Sequence, residues 1–362
     1  MNKIIYLDAA ATYQKADAVI QAQVDFLRNH YANAGRGVCA RATYVDDMVA
    51  GARQRVARFM RAHENQIVFT SGTTGAINMI ARMLDLTSDM IVAVSDLDHH
   101  SARLPFEQSR AKTIVMPLDS GFNIDVNEIP YADVVVLTAM SNVFGVAQNV
   151  AEIVRRARDK NPNVIVVVDA AQYVVHEEIN VEEWGADFVV WSAHKIGADT
   201  GLGIMYIKNP DDFAPVNFGG GMVNKIVKND LLLVSGPEKF EAGTLPLTQM
   251  SGLVVAIDEI ENNRPNVELI KYMYDELSVV PRVKILSARD AALMTFVVDG
   301  MHVLDFGMLI GVRNICVRVG NMCATWAHNL LGVPGSIRIS VGAYNTFDDI
   351  KYAVQVIKDV IK

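Results

Sequence analysis

Asp187-Phe188-Val189-Val190-Trp191-Ser192-Ala193-His194-Lys195-Ile196-Gly197 is the stretch that most constrains the fold of this chain. Its apolar run predicts a buried strand, which delivers Ser192-Ala-His-Lys195 to a turn. A lysine at the end of a buried strand can be held partly desolvated, which lowers its pKa and makes it a nucleophile toward carbonyl compounds. The alternative interpretation is a surface lysine after an edge strand.

Two other strand-like runs end in residues suited to a ligand. Gln66 to Thr70 breaks into Ser71-Gly-Thr-Thr-Gly75 and then a helical pattern from Ala76 to Leu86. A glycine-rich turn before a helix is a ready anion site, because free backbone N–H groups and the helix dipole point at it, although it can also be an ordinary N-cap. The five apolar residues before Asp169 predict a strand buried on both faces, and Asp169 either faces a ligand or caps the following turn.

Strand and helix alternate from about residue 66 to residue 206, which predicts a mostly parallel sheet with right-handed crossovers and helices on its faces. Ligand groups gather at the carboxyl ends of the strands in such a sheet. The candidate residues at those ends are Thr73, Thr74, His99, Asn142, Asp169, Gln172, Ser192, His194 and Lys195.

Composition limits the classes of partner. The chain has 362 residues, 51% hydrophobic and 20% charged, with a net charge of −8 and no basic run, so we expect neither nucleic acid nor an anionic membrane as a partner. The first residues lack a signal-peptide pattern and no apolar run reaches about 18 residues, which predicts a cytosolic location. Three cysteines, Cys39, Cys316 and Cys323, argue against a disulfide framework and leave at least one free or intermolecular thiol.

A reactive lysine, an acid at a strand end, a Gly-Thr-Thr phosphate cradle and a histidine are the parts that a pyridoxal phosphate site needs. The lysine carries the cofactor as an imine, the acid keeps the pyridine nitrogen protonated, and an imidazole stacks on the ring. A helix N-terminus with hydroxyls holds the phosphate.

At this point the chain resembles the class V branch of fold type I pyridoxal phosphate enzymes, and within it the cysteine desulfurases, closest to their group II (selenocysteine lyase-like) subtype. The matching motifs run in the family's order through nearly the whole chain. They are Tyr6-Leu-Asp-Ala-Ala-Ala11, Gly72-Thr-Thr-Gly75, Asp98-His-His100, Ser141-Asn-Val-Phe-Gly145, Asp169-Ala-Ala-Gln172, Ser192-Ala-His-Lys195, Phe240-Glu-Ala-Gly-Thr244 and Arg338-Ile-Ser-x-x-x-Tyr-Asn-Thr346.

The resemblance implies a role for each matching residue. Lys195 resembles the lysine that binds the cofactor and shuttles protons, His99 the stacking histidine, Asp169 the partner of the pyridine nitrogen and Gln172 the donor to the ring hydroxyl. Thr73, Thr74, Ser192 and His194 would hold the phosphate, with Thr244 reaching it from the second subunit of a homodimer. Asn142, Arg318 and Arg338 would bind the substrate, Arg338 by a bidentate contact with its carboxylate.

The resemblance also implies three parts of the chain. Residues 1–15 would form an N-terminal segment that packs near the active site and the small domain. Residues 16–262 would be the large α/β domain that binds the cofactor, and residues 263–362 a smaller α+β domain that carries Cys323 and Arg338.

Cys323 matches the position of the family's nucleophilic cysteine, 15 residues before Arg338 (338 − 323). The implied reaction converts L-cysteine to L-alanine, leaves a persulfide on Cys323 and passes sulfur to an acceptor protein, as in iron–sulfur cluster assembly. Cys39 and Cys316 are interpreted as structural. Asn321-Met322 stands where group II members usually have His-His, Gly35 replaces the family's histidine before Arg-Gly, and Gly243-Thr-Leu-Pro246 departs from the family's Gly-Thr-Pro.

These departures keep other functions open. One is a different class V enzyme, such as a selenocysteine lyase, aminotransferase or epimerase, that does not use Cys323. Another is a catalytically silent member that works as a sulfur relay or scaffold.

Overall fold

A seven-stranded sheet organises the computed structural model, which describes residues 3–35, 37–228 and 230–362. The strands of the chain are β1 (Ile5–Tyr6), β2 (Ile67–Thr70), β3 (Ile91–Val94), β4 (Lys112–Val115), β5 (Val134–Thr138), β6 (Ile165–Asp169), β7 (Phe188–Ser192), β8 (Gly203–Ile207), β9 (Val223–Val227), β10 (Asp230–Leu233), β11 (Val283–Ile285), β12 (Met294–Val298), β13 (Ile315–Cys316), β14 (Arg318–Gly320) and β15 (Ser336–Ile339).

The helices surround this sheet and a smaller one. They are α1 (Asp17–Asp25), α2 (Ala40–Met60), α3 (Thr73–Met83), α4 (His100–Glu107), α5 (Val150–Lys160), α6 (Tyr173–His176), α7 (Val181–Trp184), α8 (Leu247–Asn262), α9 (Glu268–Ser278), α10 (Val303–Gly311), α11 (Thr325–Leu331) and α12 (Phe347–Ile361). Among the described residues, no helix combines the length and apolar composition needed to cross a membrane.

The central sheet has the order β2-β8-β7-β6-β5-β3-β4. Strands β7, β6, β5, β3 and β4 are parallel, and β8 pairs antiparallel with both β2 and β7. The prediction of a mostly parallel sheet with helices on its faces is confirmed, with β8 as the reversed strand. Because β2 and β7 flank β8 and run in the same direction, their carboxyl ends lie at the same edge of the sheet.

Burial explains why these runs form strands. Every residue of β5, β7 and β8 is buried, and these strands are rich in Val, Ile and aromatic residues, which suit a sheet covered on both faces. The apolar sequence therefore specifies the strands, and the polar residue at the end of each one emerges at the sheet edge.

A second core lies around the antiparallel sheet β11-β12-β15-β14 and helices α9, α10 and α12. The N-terminal strand β1 pairs in parallel with β13, and Ile5 and Leu7 are buried in this core. The chain then continues toward the central sheet, so Ala10 lies at the junction between the two cores.

Several boundaries differ from the sequence prediction. Helix α3 runs from Thr73 to Met83 and so begins three residues before the predicted Ala76, because Gly72 adopts a φ of 137° and turns the chain sharply into the helix. The hairpin β9–β10 and helix α9 have no counterpart in the sequence prediction. The hairpin's apolar residues are mostly exposed, so its strands do not contribute to either core.

Candidate active site

A cavity of about 370 Å³ opens at the carboxyl ends of the parallel strands. Its lining includes nearly all the residues that the sequence analysis selected: Thr73, Thr74, His99, Asn142, Asp169, Gln172, Ser192, His194, Lys195, Arg318, Cys323 and Arg338. Thr244 is the exception, since it is exposed and lies outside this lining. Residues from both cores thus converge on one space.

Lys195 is held at the base of the cavity. Strand β7 ends at Ser192, and a single helical turn, Ala193–Ile196, carries Lys195. That turn ends at Gly197, whose φ of 88° suits glycine. The Lys195 Nζ donates to the carbonyl oxygens of Ala10 at 2.6 Å and Ala11 at 3.2 Å. Burial, followed by the charge of Arg338, lowers the pKa of Lys195 to about 8. A substantial fraction of the amine is therefore neutral near physiological pH.

The Gly-Thr-Thr turn faces the end of β7. Ser192 Oγ accepts from the backbone N–H of Thr73 at 2.8 Å and lies 2.8 Å from Thr73 Oγ1. Gly203 has no room for a side chain, because a Cβ there would lie 2.4 Å from Gly72 Cα. Ser192 thus takes the Thr73 N–H, and the N-cap residue Gly72 has no side chain to cap α3, so the N–H groups that follow Thr73 are offered to an anion.

His194 lies beside this turn, with Nδ1 3.1 Å from Thr12 Oγ1. Burial, followed by the charge of Lys195, lowers the pKa of His194 to about 4. Its ring is therefore neutral at physiological pH and can contribute a hydrogen bond to a phosphate, but no positive charge.

Asp169 ends β6 and is buried. Burial raises its pKa to about 6, while the charge of Lys195 opposes that rise. Its Oδ1 accepts from the N–H of Ala171 at 2.9 Å, so the carboxylate does cap the following turn. Only Oδ1 makes that bond, so the turn cap and a contact with a ligand are compatible.

His99 and Gln172 both line the cavity wall. His99 is the N-cap of α4, and its Nδ1 accepts from the N–H of Ser101 at 3.2 Å. Burial, followed by the charge of Lys195, lowers the pKa of His99 to about 4, which leaves a flat neutral ring. Gln172 Nε2 donates to Ala10 O at 2.7 Å, and its Oε1 is buried without a partner.

Two arginines share one carboxylate. Arg338, 3% exposed, donates to the backbone oxygen of Asn142 at 3.0 Å and to Asp8 Oδ1 at 3.2 Å. Arg318 donates to Asp8 Oδ2 at 2.5 Å. Asp8 lies within the Tyr6-Leu-Asp-Ala-Ala-Ala11 motif, and this ion pair is a role that the resemblance did not imply. The signal that selected Asp169, an acid closing an apolar run, is also present at Asp8.

Cys323 is exposed at the cavity mouth. It and Met322 both have a φ of 53°, which is uncommon for residues other than glycine. Asn142 Nδ2 donates to the Met322 carbonyl at 2.9 Å, which ties the cysteine loop to the end of β5. Cys39 is also exposed, as the N-cap residue of α2, and Cys316 is half-buried.

The residues present suit pyridoxal phosphate. Buried polar atoms without a partner, Gln172 Oε1, Asn142 Oδ1 and Arg338 Nε, belong to side chains of the cavity lining, where a polar ligand would satisfy them. The volume suits a small ligand. Lys195 could bind the aldehyde, Asp169 the pyridine nitrogen, His99 the ring face, and the α3 N-terminus with Ser192 the phosphate. No cluster of three potential metal ligands occurs in the part of the chain that the structure describes.

Comparisons with known proteins agree with this geometry. The family model described as Aminotransferase class-V matches residues 5–353. A probable cysteine desulfurase of Vibrio cholerae is 31% identical, with 99% of this chain and 94% of the relative aligned. A probable cysteine desulfurase of Halalkalibacterium halodurans is 33% identical, with 96% and 91% aligned.

Solved structures give the same result. The apo structure of the cysteine desulfurase of Thermococcus onnurineus superposes with a TM-score of 0.94 at 29% identity, covering 99% of this chain and 95% of that one. The Escherichia coli cysteine desulfurase CsdA, in an S-sulfonic acid form, gives a TM-score of 0.91 at 29% identity, covering 99% and 94%. Both similarities extend over the two cores, and hence over the cavity between them.

Proposed function

Since the chain belongs to the class-V aminotransferase family, and within it to the cysteine desulfurases, we propose that it converts L-cysteine to L-alanine as a pyridoxal-phosphate-dependent desulfurase. The observation that carries the proposal is the convergence of Lys195, Arg338 and Cys323 on one cavity. Pyridoxal phosphate, when bound, supplies the electron sink for a carbanion at the substrate's α-carbon.

The side chains of this protein supply the remaining steps. Arg338, buried and fork-shaped, binds the substrate carboxylate, and the neutral fraction of Lys195 Nζ takes up and returns protons at the substrate carbon. Cys323 Sγ, as a thiolate, attacks the substrate sulfur. The bond between the substrate's β-carbon and its sulfur breaks, and the electron pair stays on the β-carbon, which takes up a proton. The released sulfur forms a sulfur–sulfur bond with Cys323 Sγ. Alanine leaves, and a thiol of an acceptor protein takes the persulfide sulfur.

The test measures alanine and sulfide from cysteine with the pyridoxal-phosphate-loaded protein. Wild type should form alanine, Lys195→Ala should lose the visible absorbance of the lysine-bound cofactor, and Cys323→Ala should lose alanine formation at an intact absorbance band. Equal alanine formation by wild type and Cys323→Ala contradicts the role of Cys323.

We also propose that the protein is a homodimer in which Thr244 contacts the cofactor phosphate of the partner subunit. Thr244 is exposed and lies outside its own cavity, and the nearby loop is fixed by a bond from Gly243 N–H to Gly220 O at 2.8 Å. The β9–β10 hairpin exposes Ile226 at 66% and Leu232 at 50%, an apolar surface that association would bury. Light scattering measures the mass of the protein in solution and so tests the homodimer. The cytosolic location and the delivery of sulfur to iron–sulfur cluster assembly stay predictions.

A second candidate is a class V enzyme that does not use Cys323. It is favoured by the residues before the cysteine, where Asn321 Oδ1 accepts the Cys323 N–H at 3.2 Å and no imidazole precedes the thiol. Selenocysteine and other amino acids, screened for alanine and keto-acid products, distinguish this candidate from the desulfurase.

A further inference from the structure

The first turn of α4 carries two adjacent histidines with different surroundings. His99 lines the cavity, whereas the His100 ring lies against the cysteine loop, with its Nε2 2.9 Å from Thr325 Oγ1. The two ring centroids are 6.2 Å apart and the rings are inclined by 44°. One helical turn therefore contacts both the cofactor side of the cavity and the segment that bears Cys323.

Three polar contacts join His100 to that segment. The His100 backbone N–H donates to the Cys323 carbonyl at 2.7 Å, and the Thr325 N–H donates to His100 Nε2 at 3.3 Å, besides the hydroxyl contact. Burial lowers the pKa of His100, which favours the neutral ring that can accept at Nε2. Trp326 adds an edge-to-face contact, with ring centroids 5.3 Å apart.

The loop needs such anchors because its backbone is strained. Met322 and Cys323 are consecutive residues in the left-handed region, where a Cβ is disfavoured and the conformation persists only when the surroundings hold it. Asn142 holds the Met322 carbonyl and His100 holds the Cys323 carbonyl. The two peptide groups on either side of Cys323 are thus fixed from two different parts of the large core, the end of β5 and the start of α4.

We propose that His100 is a positioning residue for Cys323, because its imidazole and backbone hold the strained cysteine loop at a fixed distance from the cavity wall formed by His99. The arrangement serves sulfur transfer, since the thiolate must reach a sulfur whose place is set by the cavity. The proposal rests on the proposed desulfurase function only for the effect of His100 on sulfur transfer. The contact itself exists without cofactor or substrate.

A second layer braces the same contact. Arg103, one turn along α4 from His100, lies with its guanidinium carbon 4.1 Å from the Trp326 ring centroid. Arg103 is itself fixed by Asp96 at 2.8 Å and Glu107 at 2.7 Å. Since Trp326 in turn packs on His100, the start of α11 cannot shift without disturbing α4.

The test compares His100→Leu, which removes the acceptor, with His100→Gln, whose Oε1 can accept the Thr325 N–H. His302→Leu is the matched control, because His302 also accepts a backbone N–H at the start of a helix, α10, outside the cavity lining. Two quantities are measured: amide hydrogen exchange of residues 323–326 in the cofactor-free protein, and kcat and KM for alanine formation in the loaded protein.

We expect His100→Leu to speed exchange of these amides at least about fivefold. We expect it to lower kcat about 10- to 100-fold through misplacement of the thiol, with KM within about threefold and the cofactor absorbance retained. His100→Gln should recover most of both quantities, and His302→Leu should match wild type. Wild-type exchange in His100→Leu, or a glutamine variant as impaired as the leucine variant, overturns the proposal.

Thr325→Val covers the case in which His100→Leu fails to fold. It removes the hydroxyl contact at constant shape, and we expect smaller changes in the same directions, so unchanged exchange and kcat overturn the proposal. If wild type forms no alanine, the proposed function fails, whereas the exchange comparison still decides whether His100 holds the loop.

Discussion

Asp8 and Arg338 form an ion pair at 3.2 Å, although 330 residues separate them in the chain (338 − 8). Asp8 also contacts Arg318, so one buried carboxylate lies between two guanidinium groups. The pair orients Arg338 toward the cavity, where its Nε has no partner. A substrate carboxylate therefore meets a guanidinium that is already oriented, which lowers the entropic cost of binding.

Arg338→Lys should separate the fork geometry from the charge. Lysine keeps the positive charge but loses the paired donors, so we expect kcat/KM for cysteine to fall about 10- to 100-fold, the equivalent of about 1.5–3 kcal/mol. The absorbance of the lysine-bound cofactor should persist, because Arg338 does not hold the cofactor in our assignment. Steady-state kinetics and a spectrum of the same sample test this, and unchanged kcat/KM would place carboxylate binding elsewhere.

The depressed pKa of Lys195 predicts a pH dependence of cofactor capture. The neutral amine is the nucleophile, so the rate at which cofactor-free protein binds pyridoxal phosphate, followed by visible absorbance, should rise with pH and reach half its maximum near pH 8. Arg338→Met removes a charge that disfavours the protonated amine, so the midpoint should move to higher pH. A midpoint that does not move contradicts the electrostatic cause.

The same shift affects stability. Between pH 8 and 10.5, the ordinary pKa of a lysine, the unfolded chain binds more protons at this lysine than the folded chain does. The contribution of Lys195 to the free energy of unfolding therefore rises with pH across that window.

The sequence predicts the residues that share an edge better than it predicts the contacts between them. Asp169, Asn142 and Lys195 each follow an apolar run, and parallel strands bring such positions together without further information. The apolar run before Asp8 indicates a candidate carboxylate, but its arginine partners lie in β14 and β15, which pair with each other only once the second core has formed. The local pattern of apolar and polar residues does not indicate which strands pair in the second core.

The backbone strain at Met322 and Cys323 could not be predicted from the sequence either. Nothing in Asn321-Met322-Cys323 indicates two consecutive left-handed residues, since neither glycine nor a turn motif is present. The conformation is imposed by Asn142 and His100, which are more than 150 residues away. The histidine pair could be selected from sequence, but only the structure shows that His100 faces the cysteine loop.

Gly203→Ala should damage the phosphate end of the site. An added Cβ would lie 2.4 Å from Gly72 Cα, so β2 and β8 must separate and the turn before α3 must move. We expect a loss of about 1–3 kcal/mol in the free energy of unfolding, with weaker retention of pyridoxal phosphate on dialysis. Gly51→Ala is the control, since it lies inside α2 with open space around it, and it should stabilise by about 0.5–1 kcal/mol.

The buried pair of Arg53 and Glu241 predicts a large stability effect far from the chemistry. Arg53 Nη1 and Nη2 donate to the two Glu241 oxygens at 2.8 Å each, and Glu241 also accepts the Phe69 N–H of β2 at 2.7 Å. Glu241→Leu removes both close carboxylate contacts and leaves the buried guanidinium with the Ile67 carbonyl oxygen at 2.6 Å and the Glu238 carboxylate at 3.7 Å. We therefore expect it to lower the free energy of unfolding by about 3–5 kcal/mol.

Arg53→Met combined with Glu241→Leu should recover part of that loss, because no charge then remains buried. Urea unfolding of the two single variants and the double variant yields the coupling energy. The double variant should remain folded. Because Glu241 also fixes the loop that continues to Thr244, we expect the double variant to associate less tightly, and light scattering over a dilution series measures this. A double variant no more stable than Glu241→Leu would show that the bond to Phe69, rather than the ion pair, holds this loop on the sheet.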